Sequence, residues 1–360
     1  MFGEDGLCSL RWNHERDAVE VIDQTALPHT LRLITLDTLP AFCHAISTMQ
    51  VRGAPLIGIT AAFGLAHALA SDPSEDSLQR AYAALLATRP TAVNLRWALD
   101  QVVGVVANLD PEARGKAALE KAGQLREADI SSCERIAAHG YDLLEHLYTG
   151  ETLHVMTHCN AGWLATVQWG TALAPVYKAH ANGLPVHVWV SETRPRNQGL
   201  SLTAWELHRA GIDCTVVADN SCGQLMREGR VDCVIVGSDR TAANGDVCNK
   251  VGTYLKALAA QANNVPFYVA LPASTIDWQC ESGASIPIEE RDSTEVLTVS
   301  GLDETGNLKE VRLAAEQVAA HNPAFDITPA ELVSALVTEE GVFTTDAAGM
   351  SSLGERVSTG

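Results

Sequence analysis

The stretch VDCVIVGSDRTAANGDVCNKVGTY, residues 231–254, decides the fold. Four apolar residues, Cys233–Val236, are followed by Gly237 and then by the charged pair Asp239 and Arg240. A short, unbroken apolar run predicts a strand buried on both faces, and the change to small and charged residues marks its carboxyl end. In an open parallel sheet, ligands bind at that edge. The alternative is a solvated loop whose Asp, Asn and Gly residues only make turns.

A strand followed by polar residues recurs through the second half of the chain. After Gly150, short apolar runs alternate with segments of helical periodicity. This alternation predicts right-handed βαβ units and one parallel sheet covered on both faces. The predicted strands are Leu153–Thr157, 186–190, 214–218, Cys233–Val236 and 267–271.

The first half of the chain has a different pattern. Short segments between residues 10 and 35 read as strands, and from residue 37 to about 148 apolar residues recur at three- and four-residue spacing. That spacing is typical of helices. We therefore predict a small β piece and a helical bundle before the parallel sheet. The Ser- and Gly-rich tail after residue 346 is predicted to be loose.

Composition limits the possible partners. The formal charge of -19 over 360 residues argues against nucleic acid or an anionic membrane as the main partner, because phosphate backbones are held by an excess of Lys and Arg. The N-terminal sequence lacks the basic and apolar regions of a secretory signal. The apolar run 56–70 is too short to span a bilayer and is predicted to be a buried helix. We expect a cytoplasmic protein.

The cysteines indicate free thiols. Nine cysteines occur without any CxxC pair, so a reducing cytoplasm is expected and structural zinc is not. Cys159 is a separate case because it follows the predicted strand Leu153–Thr157, where a helix is predicted to begin at Trp163. The positive end of a helix dipole favours thiolate. Its neighbour His158 does not make a Cys–His dyad, because adjacent residues in an extended chain point to opposite faces. The alternative is a buried structural thiol.

Two arginines are candidate anion ligands. Arg52, Gly53 and Ala54 come just before the predicted helix 56–70, where backbone N–H groups and a guanidinium can approach a phosphate. The same residues are also compatible with an ordinary turn. Arg89 is either a second clamp or an exposed surface residue.

Polar residues also follow the strand 186–190. Glu192, Arg194, Arg196 and Gln198 either line a ligand cleft or form an ion-pair network between subunits.

The opening stretch contributes two further groups. Burial at the end of an apolar strand would raise the pKa of Asp239 and let it act as a general acid. Lys250 pairs either with a phosphate or with Asp246.

Several of these segments together resemble the methylthioribose-1-phosphate isomerases. The resemblance runs from about residue 18 to 343 and is carried by VRGAPLIG, RPTAVNLRWAL, THCNAGWLAT, ETRPRNQG with LTAWEL, GSDRTAANGDVCNKVGTY, PASTID, IPIEERD and NPAFDITPA. That family belongs to a wider group that includes the regulatory subunits of translation initiation factor 2B. The resemblance implies an α/β fold, with a small N-terminal β plus helical domain (1–148) followed by a Rossmann-like parallel-sheet catalytic domain (149–345), and then the tail (346–360).

The resemblance also implies roles for individual residues. Cys159 and Asp239 match the family's catalytic positions, and Ser238 and Ser191 are small departures where Ala and Asp are usual. The initiation-factor relatives generally lack the paired Cys and Asp, so their presence argues for an enzyme. A homodimer without metal or other cofactor is implied. The implied substrate-binding positions are Arg52, Gly53, Ala54, Arg89, Gln198, Asn249 and Lys250.

The implied activity is an aldose–ketose isomerisation in methionine salvage, from 5-methylthioribose 1-phosphate to 5-methylthioribulose 1-phosphate. Asp239 would protonate the ring oxygen, and Cys159 would act either as a base or to stabilise charge during hydride transfer. Two alternatives remain open. One is an isomerase of another sugar phosphate, such as 5-deoxyribose 1-phosphate or ribose 1,5-bisphosphate. The other is a non-catalytic regulatory subunit of the initiation factor 2B type.

Overall fold

The first half of the chain folds as a small antiparallel sheet followed by a helical bundle, as predicted. The computed structural model describes residues 7–359, so the first six residues of the predicted N-terminal domain lie outside it. The elements are β1 (Leu10–Asn13), β2 (Ala18–Ile22), β3 (Leu33–Leu36), α1 (Leu39–Ser47), α2 (Ala54–Ser71), α3 (Glu75–Thr88), α4 (Val93–Val106) and α5 (Pro111–Leu147).

Helix α2 forms the centre of this bundle. It is apolar on all sides, and it packs against α4 and α5 with Phe63, Leu65 and Leu69 buried. Among residues 7–359 it is the one helix long and apolar enough to cross a membrane, but 78% of it is buried inside the protein. A helix that is apolar all round belongs in a core. The prediction of a buried helix is confirmed.

The second half alternates strands and helices. Its elements are β4 (Leu153–Thr157), α6 (Ala174–Ala181), β5 (Val186–Ser191), α7 (Ala204–Arg209), β6 (Asp213–Val217), α8 (Cys222–Arg227), β7 (Cys233–Val236), β8 (Arg240–Ala242), β9 (Val247–Lys250), α9 (Thr253–Ala262), β10 (Phe267–Ala270), β11 (Ile276–Asp277), α10 (Thr294–Leu297), β12 (Thr298–Leu302), β13 (Leu308–Arg312), β14 (Phe325–Thr328), β15 (Ala335–Thr338), β16 (Gly341–Phe343) and α11 (Ala347–Thr359).

Seven of these strands form the main sheet in the order β16-β15-β10-β7-β4-β5-β6. All neighbours are parallel except β15 and β16. Within this sheet β4 is the first strand in the sequence and lies in the middle. The chain then adds β5 and β6 on one side of β4 and returns to add β7 on the other side. This is the doubly wound order, and the crevice between β4 and β7 is its switch point. The five predicted strands are confirmed, each within one residue at either end.

A second sheet lies beyond the end of β7. Strand β8 pairs with β11 and β9, and β9 also pairs with β14. The backbone N–H of Asp239 donates to the carbonyl of Cys248 at 2.9 Å. This pairing turns the chain back, so that Asn249 and Lys250 return to the loop that carries Asp239.

The predicted loose tail is wrong. Residues Ala347–Thr359 form α11, and Met350 and Leu353 are buried in the same core as β7 and β10. These two apolar residues are spaced three apart, so one face of the helix packs on the domain. The Ser and Gly residues around Met350 and Leu353 make the segment look like a loop by composition, although its apolar spacing is that of a helix.

Candidate active site

Cys159 and Asp239 lie at the switch point of the sheet. Cys159 follows β4 and Asp239 follows β7, the two adjacent strands at which the strand order reverses. Both side chains line one small cavity. Its walls also include Arg52, Gly53, Ala54 and Asn249. The fold thus brings the two predicted reactive groups together, although 79 positions separate them in the sequence.

The backbone of Cys159 is held in an unusual conformation. Its φ is 64, which is the left-handed region that non-glycine residues rarely adopt. Its N–H donates to Thr193 Oγ1 at 2.8 Å, and Thr203 Oγ1 donates to its carbonyl at 2.7 Å. A strained residue clamped on both sides is typical of functional sites. The thiol is thereby directed into the cavity.

The predicted helix at Trp163 is wrong. Residues Trp163–Ala165 form a single 3-10 turn, and the next α-helix begins only at Ala174. The N–H groups of Trp163 and Leu164 donate instead to the carboxylate of Glu206. No α-helix dipole therefore acts on Cys159 from this loop.

His158 is not a base for Cys159, in agreement with the sequence argument. Its Nε2 bonds to the carbonyl of Val251 at 2.8 Å, and its Nδ1 contacts Ser191 Oγ at 3.1 Å. Burial and the charge of Lys256 lower the pKa of His158 to about 3. The imidazole is therefore neutral, and both ring nitrogens are engaged away from the thiol.

Burial dominates the electrostatics of the reactive pair. It raises the pKa of Cys159, against the charges of Arg52 and Lys250. It also raises the pKa of Asp239, against Lys250, Arg52 and Arg89. The predicted direction for Asp239 is confirmed. Burial therefore shifts both groups toward their protonated forms and disfavours the thiolate of Cys159.

The start of α2 borders this cavity and has the features of an anion site. Gly53 precedes the helix with φ of 93, and a Cβ there would lie 2.4 Å from the carbonyl oxygen of Ala165. The glycine therefore lets the helix start approach the loop that follows Cys159. Arg52 donates to the side-chain and backbone oxygens of Asn160. Backbone N–H groups and a guanidinium converge here, as anion binding requires.

The other predicted binding residues surround this centre. Asn249 lines the same cavity, and Arg89 lines a neighbouring one with Asp239. Arg89 is paired with Glu289 at 3.1 Å and is not an exposed surface residue. Gln198 shares a cavity of about 270 Å³ with Arg52, and its buried Oε1 accepts no hydrogen bond from the described residues.

Lys250 is the remaining cation. It is 6% exposed, and its Nζ lies 5.1 Å from the ring centre of Phe325. It does not pair with Asp246, whose carboxylate accepts from the N–H groups of Gly283 and Ala330. Burial lowers the pKa of Lys250, and the nearby Cys159 and Asp239 oppose this.

The polar residues after β5 form hydrogen bonds and an ion pair with other residues of the same chain. The Arg194 guanidinium donates to the backbone carbonyls of Glu295, Val296 and Thr298, and Arg196 pairs with Glu295 at 2.9 Å. Arg196 also lines the cavity that contains Gln198. Of the two predicted alternatives, a ligand cleft fits Arg196 and Gln198, whereas Arg194 fixes the start of β12.

Two residues of this site had no predicted role. Asn160 contacts Arg52, and Glu206 contacts Asn160. The available signal was the single acidic residue in the apolar segment LTAWEL, where a buried carboxylate must find donors.

Comparison with known proteins agrees with this geometry. The Initiation factor 2 subunit family matches residues 50–345. Methylthioribose-1-phosphate isomerase from Dechloromonas aromatica is 57% identical over 349 residues, covering 96% of each chain. The isomerase of the same name from Rhodospirillum rubrum is 55% identical over 348 residues, covering 94% of this chain and 89% of that protein.

Solved structures give the same grouping. The 5-methylthioribose 1-phosphate isomerase from Pyrococcus horikoshii superposes with a TM-score of 0.84 at 34% identity, covering 99% of this chain and 97% of that one. A structure described as the delta subunit of translation initiation factor 2B from A. fulgidus gives 0.78 at 38% identity, covering 94% and 96%. The chain belongs to the Initiation factor 2 subunit family and, within it, to the methylthioribose-1-phosphate isomerases.

Proposed function

We propose that the protein isomerises 5-methylthioribose 1-phosphate to 5-methylthioribulose 1-phosphate, a step of methionine salvage. The observation that carries this proposal is the meeting of the Asp239 carboxyl and the Cys159 thiol in one cavity, next to the cationic start of α2. The names of relatives more than 50% identical over nearly the whole chain support the same substrate.

Asp239 is the proposed general acid. In an aldose 1-phosphate the anomeric oxygen is esterified, so the ring cannot open spontaneously to the aldehyde. A proton must reach the ring oxygen, and burial raises the pKa of Asp239, which favours the protonated carboxyl that a general acid needs. As the ring oxygen accepts it, the bond from that oxygen to C1 breaks. C1 becomes electron-poor while keeping its phosphoryl ester.

Hydrogen then moves from C2 to C1. In the proposed route it moves as a hydride, and the C2 hydroxyl gives its proton to the Asp239 carboxylate, which restores the acid. Cys159 stabilises the charge that develops during the transfer. A base role would need a thiolate, which burial disfavours. In deuterium oxide this route leaves C1 of the product free of solvent deuterium, and label at C1 would contradict it.

The phosphoryl group is proposed to bind at the start of α2. Arg52 and the N–H groups that follow it supply donors, and Lys250 adds a buried charge. Asn249 and Gln198 are proposed to bind substrate hydroxyl groups, since both carry buried amides, Asn249 in the cavity of Cys159 and Asp239 and Gln198 in the adjoining cavity that shares Arg52. Arg89 is proposed as a second cationic contact, which requires exchange of its pairing with Glu289 for one with the ligand.

The decisive test is turnover of three sugar phosphates measured side by side. We expect isomerisation of 5-methylthioribose 1-phosphate in preference to 5-deoxyribose 1-phosphate and ribose 1,5-bisphosphate. The variants C159S and D239N should lose turnover while still binding the substrate in calorimetry. Absence of turnover by the unmodified protein on all three, with sugar phosphate binding retained, would instead support a regulatory subunit.

We also propose a homodimer in the cytoplasm. Helix α9 exposes Tyr254, Leu255 and Leu258, with Leu255 69% exposed, and such apolar surface is typical of an interface. The nine free cysteines fit a reducing compartment. Light scattering should give the mass of a dimer, and L255E should shift it to a monomer. The matched control L313E changes a leucine that is 60% exposed elsewhere and should remain dimeric. A monomeric unmodified protein would contradict the proposal.

A further inference from the structure

Glu206 is a completely buried carboxylate surrounded by donors. It lies in α7 with 0% of its surface exposed. Asn160 Nδ2 and the Tyr177 hydroxyl each donate to it at 2.7 Å, and the N–H groups of Trp163 and Leu164 donate at 2.8 and 3.2 Å. Burial raises its pKa to about 7, and these bonds oppose the shift. So many donors on one buried acid fix the loop that follows Cys159.

A continuous path leads from this carboxylate to Arg52. The amide nitrogen of Asn160 donates to Glu206 Oε1, while its amide oxygen accepts from Arg52 Nη1. The backbone carbonyl of the same asparagine accepts from Arg52 Nη2 at 2.9 Å. An asparagine side chain can donate and accept at once, whereas a leucine or aspartate cannot make both bonds.

Arg52 has no direct acidic partner among residues 7–359. Its fork contacts only the neutral oxygens of Asn160, whereas Arg89, Arg196 and Arg240 each pair with a carboxylate. A direct ion pair would compete with an incoming anion. Contact through an amide fixes the direction of the guanidinium while its charge stays free of a direct ion pair.

We propose that Glu206 is a positioning residue, which through Asn160 holds the Arg52 guanidinium in place for the phosphoryl group of the substrate. The inference rests on the proposed function, in which Arg52 binds that group. It predicts that the Glu206 carboxylate affects substrate binding through Arg52 and has a smaller effect on the chemical step.

A double-mutant cycle of Glu206→Gln and Arg52→Ala tests this coupling. Gln keeps the size of the side chain but places an NH₂ group among donors. We expect E206Q to raise KM for 5-methylthioribose 1-phosphate by about tenfold, with a smaller change in kcat, since small misplacements are costly. In the R52A background the same change should leave KM unaffected, because coupled residues are not additive. An equal increase of KM in both backgrounds, no increase in either, or a loss of kcat alone would overturn the proposal.

Two further variants serve as a control and as a substitute for E206Q. Y177F removes one donor from Glu206 without touching Asn160, and should leave KM unchanged. N160S breaks the path at a second point, and it replaces E206Q in the cycle if circular dichroism shows that E206Q does not fold. A KM increase in Y177F matching that of E206Q would indicate general loop damage and contradict the proposal.

Calorimetry with inorganic phosphate separates this inference from the proposed function. If the unmodified protein lacks turnover, the proposed function fails. The coupling between Glu206 and Arg52 is then read from phosphate affinity in the same four proteins. E206Q should weaken phosphate binding only when Arg52 is present, and equal weakening in both backgrounds would overturn the positioning role.

Discussion

Asp239 and Asp219 lie at the same edge of the main sheet, yet their environments have opposite effects. Asp239 follows β7 and Asp219 follows β6. Burial raises the pKa of Asp239, and no hydrogen bond to its carboxyl counters this within the described part of the chain. Burial alone would also raise the pKa of Asp219. Hydrogen bonds from Ser191 and Arg194 and the charge of Lys256 outweigh it, and the pKa is lowered.

The difference shows that hydrogen-bond donors decide the direction in which the pKa of a carboxyl shifts at this edge of the sheet. Asp219 accepts from the N–H groups of Thr193 and Arg194 at 2.8 and 2.7 Å and is fixed in its ionised form. Asp239 faces a cavity with cations nearby, and none of residues 7–359 donates a hydrogen bond to its carboxyl oxygens. Hydrogen bonds to a carboxylate favour its ionised form, so a buried carboxyl without them keeps its proton more readily, as a general acid must.

The largest expected effect is on turnover. D239N should lower kcat by about 10²- to 10⁴-fold, the usual contribution of a general acid, because an amide cannot supply the proton. D219N should have a much smaller effect, since that carboxylate holds the Ser191 hydroxyl and the backbone of Thr193 and Arg194 and does not line the cavity of Cys159. Steady-state kinetics on 5-methylthioribose 1-phosphate measures both. Equal losses in the two variants would remove the distinction between them.

The next largest effect is on stability, where D219N should be more damaging than D239N. D219N should reduce the free energy of unfolding by about 1–3 kcal/mol, because its NH₂ group faces backbone donors that lose their acceptor. D239N should cost less, since the Asp239 carboxyl accepts no hydrogen bond from the residues that the structure describes. Urea unfolding monitored by circular dichroism compares them. A D239N variant less stable than D219N would show that Asp239 has a structural role.

The smallest effect is the pH dependence of that stability, with opposite signs at the two positions. The contribution of Asp219 is present above the ordinary value of 3.8 and is lost as pH falls through its lower folded-state pKa. The contribution of Asp239 is present below 3.8 and is lost as pH rises through its raised folded-state pKa. The free energy of unfolding, measured at a series of pH values, should therefore increase in D239N relative to the unmodified protein as pH rises. A constant difference would contradict the raised pKa.

Much of this arrangement follows from local sequence pattern. The apolar run Cys233–Val236 and the polar change at Asp239 predict a strand end, and Leu153–Thr157 does the same for Cys159. The parallel sheet and the helical first half have equally local periodicities. The positions of both candidate reactive groups were predictable for that reason.

The rest depends on contacts between distant residues. Glu206 captures the N–H groups of Trp163 and Leu164 and so replaces the helix predicted there. The partners are more than 40 positions apart, and no local pattern reports them. The pairing of β8, β9 and β14 and the packing of α11 likewise depend on tertiary neighbours. The helix dipole expected to favour a thiolate at Cys159 is likewise missing, because residues Trp163–Ala165 form only a 3-10 turn.

Gly53 has a consequence for how this protein can change over time. It has no side chain to offer a ligand, yet the start of α2 can approach the loop that follows Cys159 only because a methyl group is missing there. Replacement by alanine would place a methyl group against Ala165 and push the start of α2 away from that loop, while leaving every chemical group present. Substitution at this position is therefore restricted by space, although no side chain there could contact a ligand.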